Sequence, residues 1–235
     1  MIDEKKFIVL VLCKKKTFYS SMLIKFFEKY NIACKMILDY PIENKIGNNT
    51  ICYDDRELLS RGCKGLSPAS MKLIKIPGAW EKAFFYLDKH LEYDYYYFIE
   101  DDVFSNDLQV FIKLFEKLKR YNVDLIATDS DSRGNYPDWP WWNQGIFFSP
   151  EKQYKSFNCI CRLSKELVKQ ILLFQSNNNR FMFQEILFAS ICINNGLSYL
   201  DISKETYFDE FFEDYDYKRK NKVSHSKITH AIKQY

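Results

Sequence analysis

At 235 residues, 47% hydrophobic and 17% aromatic, the chain is long enough for one well-buried α/β domain, short for two, and too apolar to be disordered. Thirty-four lysines and arginines against 31 acids leave a net charge of +3, too balanced for a nucleic-acid binder that works by bulk charge. The cysteines (Cys13, Cys34, Cys52, Cys63, Cys159, Cys161 and Cys192) are an odd set with no CxxC pair, which reads as reduced thiols of an intracellular protein.

Phe7 to Cys13 is an apolar run too short to span a membrane and lacks a signal-peptide cleavage region, so the chain reads as soluble and cytoplasmic. The same run predicts a fully buried first strand of the kind found in parallel sheets. Lys14-Lys15-Lys16-Thr17 follows, and Ser20 to Tyr30 has helical spacing through Met22, Leu23, Phe26 and Phe27. Ala33 to Leu38 predicts a second strand that ends in Asp39, completing a strand–helix–strand unit with a right-handed crossover. Pro41 to Pro77 reads as irregular, broken by Gly47, Gly62, Gly65 and Pro68. Ala79 to His90 predicts an amphipathic helix with Trp80, Ala83, Phe84 and Leu87 on one face. Tyr95 to Ile99 predicts a central strand, Leu108 to Arg120 a helix, and Asp124 to Thr128 a further strand. Ser164 is placed to cap a helix running through Ile171, and Phe181 to Cys192 predicts a nearly all-apolar helix. No repeat or Pro/Ser-rich linker divides the chain. The expectation is a single α/β domain over 1–235, a mostly parallel central sheet flanked by helices, with 209–235 as a C-terminal tail.

Ligands of such sheets bind beyond the carboxyl ends of the strands, where Lys14 to Lys16, Asp39 and Glu100-Asp101-Asp102 all fall. Three consecutive acids at a strand's end repel one another unless something gathers them. Mg²⁺ or Mn²⁺ would do so, since hard cations take carboxylate oxygens and reach substrates through their phosphates; the other reading is the mere start of a loop. Asp39 is placed to accept hydrogen bonds from a base or ribose, and Lys82, early in its helix, to meet a phosphate. Trp139, Trp141 and Trp142, in a proline-broken loop, would form flat platforms for sugar rings or bases, or anchor that loop in the core. Gly145 permits a close backbone approach there. Glu185 is the one carboxylate of an apolar helix, which suits an acid/base role; a partnership with Arg162 or Arg180 is the alternative. The tail, acidic over 209–216 and basic from Lys218 onward, reads as a solvated segment or as a mobile cover for a diphosphate.

With these residues in view, the chain resembles the GT-A class of nucleotide-sugar glycosyltransferases. Phe98-Ile99-Glu100-Asp101-Asp102 looks like the strand ending in that family's DXD metal motif, with Glu100 departing from the first Asp. Pro77-Gly78-Ala79-Trp80-Glu81-Lys82-Ala83 is similar to the helix that brings a basic residue to the nucleotide. Phe183-Gln184-Glu185-Ile186, after Arg162-Leu163-Ser164, resembles the acceptor side, where inverting members keep an acidic base. Thr229-His230-Ala231-Ile232-Lys233 is similar to a late segment whose histidine completes the metal shell. The resemblance implies transfer of a sugar from a UDP- or GDP-linked donor to a hydroxyl of a glycan or protein, with Mn²⁺ or Mg²⁺ at Glu100, Asp102 and His230. It further implies nucleotide contacts at Asp39, Lys82 and Asp101, acceptor contacts at Trp141 and Trp142, and Glu185 as catalytic base. Two other functions fit parts of the pattern. A sugar nucleotidyltransferase usually carries a glycine-rich loop after its first strand, and Lys14 to Thr17 has no glycine. A carbohydrate-binding module would use the tryptophans alone.

Overall fold

A computed structural model of the chain describes residues 6–40, 48–61, 77–212 and 227–229. Its centre is a seven-stranded sheet built from β1 (Phe7–Cys13), β2 (Cys34–Leu38), β3 (Thr50–Cys52), β4 (Tyr95–Glu100), β5 (Leu125–Ser132), β6 (Tyr154–Ser164) and β7 (Tyr199–Asp201), in the spatial order β3-β2-β1-β4-β6-β5-β7. The pairings β2–β3, β1–β2, β1–β4 and β5–β7 are parallel; β6 runs against both β4 and β5. The expected mostly parallel α/β sheet is therefore present, with one reversed strand among those described.

Successive residues of a strand face opposite sides, and β1 is apolar on both. Ile8, Leu10 and Leu12 join the core covered by α3 (Ala79–Leu87), α5 (Lys165–Asn178) and α6 (Gln184–Asn194), with Phe84, Val168 and Phe188 as its centre. Val9, Val11 and Cys13 join the opposite core, under α1 (Phe18–Lys29) and α4 (Gln109–Leu118), with Phe27, Phe111 and Phe115. None of the described helices is long and apolar enough to cross a membrane.

Several boundaries differ from the sequence expectation for local reasons. The first helix starts two residues early because Thr17 and Ser20 cap it reciprocally, each backbone amide donating to the other's hydroxyl (2.9 and 3.0 Å). Within the stretch expected to be irregular, β3 pairs with β2 and a short helix, α2 (Asp55–Ser60), begins at Asp54, whose carboxylate accepts from the Arg56 amide. Ser164 does cap α5, accepting from the Leu167 amide at 3.1 Å.

Candidate functional site

The parallel register sets two carboxylates beside the end of β1. The Asp39 amide donates to the Cys13 carbonyl and the Asp101 amide to the Leu12 carbonyl, both at 2.9 Å, so one acid stands on each flank of the strand. Asp101 in turn accepts from the Lys14 amide at 3.1 Å. Burial pushes the Asp101 carboxyl up to about 6 against the Lys14 hydrogen bond, and the charges of Asp102 and Glu100 add to the rise. Burial likewise lifts Asp39 to about 6, with Lys82 opposing the rise and Glu81 and Asp101 adding to it. The Asp39 Oδ1 atom is buried with no hydrogen-bond partner among the described residues. A Cβ at Gly78 would stand 3.7 Å from that oxygen, an ordinary contact, and 3.3 Å from the Glu81 carboxylate, which accepts from the Gly78 amide.

Lys82 meets Asp39, but not as a free cation for phosphate. Its side chain is fully buried; Nζ donates to the Asp39 carbonyl and pairs with Asp55 at 2.6 Å. A buried ammonium needs such partners, and this one holds the main chain of Asp39 in place. The acid at the start of α2 was the missed residue; only its place after a helix-capping Asp54 marks it in the sequence.

Glu100 turns toward α3 and accepts from the Trp80 indole at 2.8 Å, while the Trp80 ring stacks on Phe98. Burial, then the charges of Glu100 and Asp102, push the Cys159 thiol up, which places both acids near β6. Continuing the β4–β6 register past Ile99↔Ile160 sets Cys159 opposite Glu100 and Asn158 opposite Asp101. Asn158 donates to the Gln184 carbonyl at 3.0 Å, so the first turn of α6, with half-buried Glu185, lies at the same edge as the acidic strand end. Arg162, considered as a partner for Glu185, instead clamps the connection from α4 to β5. It donates to the carbonyls of Leu118, Tyr121 and Val123 (2.6, 2.8 and 3.0 Å) and lies over Tyr95. Arg180 lies over Phe147.

The tryptophan loop divides its labour. Trp142 is 2% exposed, its indole donates to the Tyr136 carbonyl at 2.8 Å and its ring meets Trp139 edge-on, so it anchors the loop and offers no platform. Trp141 is 41% exposed. Trp139 stacks on Phe183, the residue before α6, tying the loop to the start of the Glu185 helix. The close approach at Gly145 is to Gln153, whose amide donates to the carbonyls of Gly145 and Phe148 and would lie 2.8 Å from a Cβ there.

Among the described residues no group of three or more His, Cys, Asp or Glu is arranged to hold a metal ion. Glu100 and Asp102 have the oxygen chemistry a hard cation takes. His230, with His225 and the basic part of the tail from Lys218 to Lys222, lies outside the described residues. Thr229, the residue before His230, is bridged to Phe104, two residues beyond Asp102, by backbone hydrogen bonds of 2.7 and 2.8 Å. A groove of about 710 Å³, lined by Phe7, Tyr30, Ile32 and Phe115, lies where β1 begins, at the sheet edge opposite the acids.

No family model and no curated protein matches the sequence. Among solved structures, mouse xyloside xylosyltransferase 1 in its apo form aligns over 97% of this chain and 98% of its own at 12% identity, with a TM-score of 0.38. A197 from STIV aligns over 71% of this chain and 68% of its own at 11% identity, with a TM-score of 0.31. Both likenesses are weak.

Proposed function

We propose that the chain is a metal-assisted glycosyltransferase of the GT-A type, moving a sugar from a UDP- or GDP-linked donor to a hydroxyl acceptor. The observation that carries this reading is the crowding of Asp39, Glu100, Asp101 and Asp102 at the carboxyl ends of β2 and β4, on either side of β1. Asp39, with its partnerless oxygen and its backbone fixed by Lys82, is suited to accept hydrogen bonds from a base or ribose. Asp101 borders the same space. Glu100 and Asp102, with His230 as a third donor, would hold Mn²⁺ or Mg²⁺, which supplies charge neutralisation for a diphosphate leaving group.

Glu185, at the start of α6 on the same edge, takes the proton of the acceptor hydroxyl as that oxygen bonds to the anomeric carbon and the bond to the diphosphate breaks. Trp141 lines the acceptor side. Calorimetry with UDP and GDP, with and without Mn²⁺, tests the reading: metal-dependent binding supports it, and indifference of both nucleotides to the metal would sink it.

A further inference from the structure

A second cluster lies at the carboxyl end of β5. Between the pairs Thr128↔Phe157 and Asp131↔Lys155, β5 carries one more residue than β6, and in that bulge Asp129 adopts φ +47°, the left-handed region. Its amide donates to the Ser203 hydroxyl at 3.1 Å, and Ser203 donates to the buried carboxylate of Asp201 at 2.6 Å. Its carbonyl and its Oδ2 both accept from Lys155 Nζ, at 3.1 and 2.5 Å. The Lys155 side chain is only 4% exposed, with Nζ 5.1 Å from the centre of the Tyr136 ring and 5.9 Å from that of Trp139. The carboxylate it holds is 71% exposed.

That asymmetry needs a reason. Burying an ammonium is costly, and a pair with one partner in water contributes little to stability. A left-handed aspartate adds backbone strain, and strain of this kind gathers at binding and catalytic sites. What the arrangement achieves is a solvent-facing carboxylate whose backbone and one oxygen are fixed before any ligand arrives. Beside it, Tyr136 is 48% exposed. A fixed carboxylate that accepts from neighbouring hydroxyls, next to an aromatic ring that covers an apolar C–H face, is the chemistry that recognises a sugar ring. Trp139, which covers Lys155, also stacks on Phe183 at the head of the Glu185 helix, so this cluster and the proposed base share one support.

We propose that Asp129, positioned by Lys155 and flanked by Tyr136, binds the hydroxyls of a carbohydrate acceptor. The inference rests on the glycosyltransferase reading and narrows it: the acceptor hydroxyl belongs to a sugar. The test is binding of methyl glycosides of xylose, glucose, galactose and N-acetylglucosamine, followed by saturation-transfer NMR, on the full chain and on its Asp129→Asn and Tyr136→Ala variants. Asparagine keeps an oxygen for Lys155, and Tyr136→Ala leaves the ion pair intact; melting curves confirm folding. At least one glycoside should bind the parent, and both variants should weaken it about tenfold or more while Mn²⁺-dependent UDP or GDP affinity is unchanged. Glycoside binding that survives both substitutions, or its absence from the parent, overturns the inference. Nucleotide binding, measured in parallel, reports separately on the glycosyltransferase reading.

Discussion

The two halves of the carboxyl edge handle charge in opposite ways. Around β1, β2 and β4 several acids crowd together: Asp39 and Asp101 are each pushed up to about 6 chiefly by burial, Asp101 adds to the rise of Asp39, and buried Lys82 holds the Asp39 carbonyl and Asp55. Around β5 and β6 a buried lysine already balances an exposed carboxylate, and Asp201 is satisfied by the Ser130 amide, Ser203 and Lys204. The first half gathers its acids around the end of one strand; the second pairs its acids with lysines. Under the proposed function, a donor carrying a diphosphate and cation would meet the first and a polyhydroxyl acceptor the second.

The largest expected effect joins the two halves. Glu185→Gln should leave melting temperature and nucleotide affinity unchanged while transfer falls by about 10² to 10⁴, the usual loss for a general base. A large drop in melting temperature with transfer per folded molecule intact would make Glu185 structural.

Within the acceptor half, Trp142→Ala should destabilise the fold by about 3–5 kcal/mol, as for other buried aromatics. Trp141→Ala should cost about 0.5 kcal/mol or less in urea unfolding, and should weaken acceptor use instead. Equal stability losses would erase the distinction between anchor and exposed ring.

The two buried lysines separate the halves directly. Lys82→Met leaves half-buried Asp55 and the Asp39 carbonyl without their cation and should cost about 3 kcal/mol. Lys155→Met leaves the Asp129 carbonyl and its exposed carboxylate without their donor and should change stability by about 1 kcal/mol. Chemical denaturation of both variants decides this, and a larger loss for Lys155→Met would show that its pair serves stability rather than positioning.

A smaller effect appears with pH. The Asp39 pKa is raised in the fold from 3.8 to about 6, so its contribution to stability is fully present below the lower value and is lost as pH rises through the upper. Asp39→Asn should therefore flatten part of the fall in melting temperature across that window, Asp101 accounting for another part. An unchanged profile would mean that Asp39 titrates normally.

The half around β1, β2 and β4 was largely legible in the sequence, because in a parallel sheet the residue after each strand falls at the edge automatically. The apolar runs of β1, β2 and β4 announced themselves, and Asp39 and Glu100–Asp102 followed. The half around β5 and β6 was not. β6 begins Tyr154-Lys155-Ser156 and buries Lys155, Ser156, Asn158 and Arg162, so its polar residues hid a strand whose place between β4 and β5 is set by distant pairing. The bulge and left-handed backbone at Asp129 arise from that same pairing, and nothing local marks them. Helical spacing set Lys82 at the sheet edge as a phosphate contact, whereas its side chain is buried on the Asp39 carbonyl and on Asp55, which lies in a stretch read as irregular.

The most direct test of the central claim is the Mn²⁺ dependence of UDP and GDP binding by the parent chain and by Asp102→Ala, measured by calorimetry. The parent should bind in a metal-dependent way and Asp102→Ala should lose that binding, with the melting temperature preserved. Metal-dependent affinity that is equal in the two proteins would contradict it.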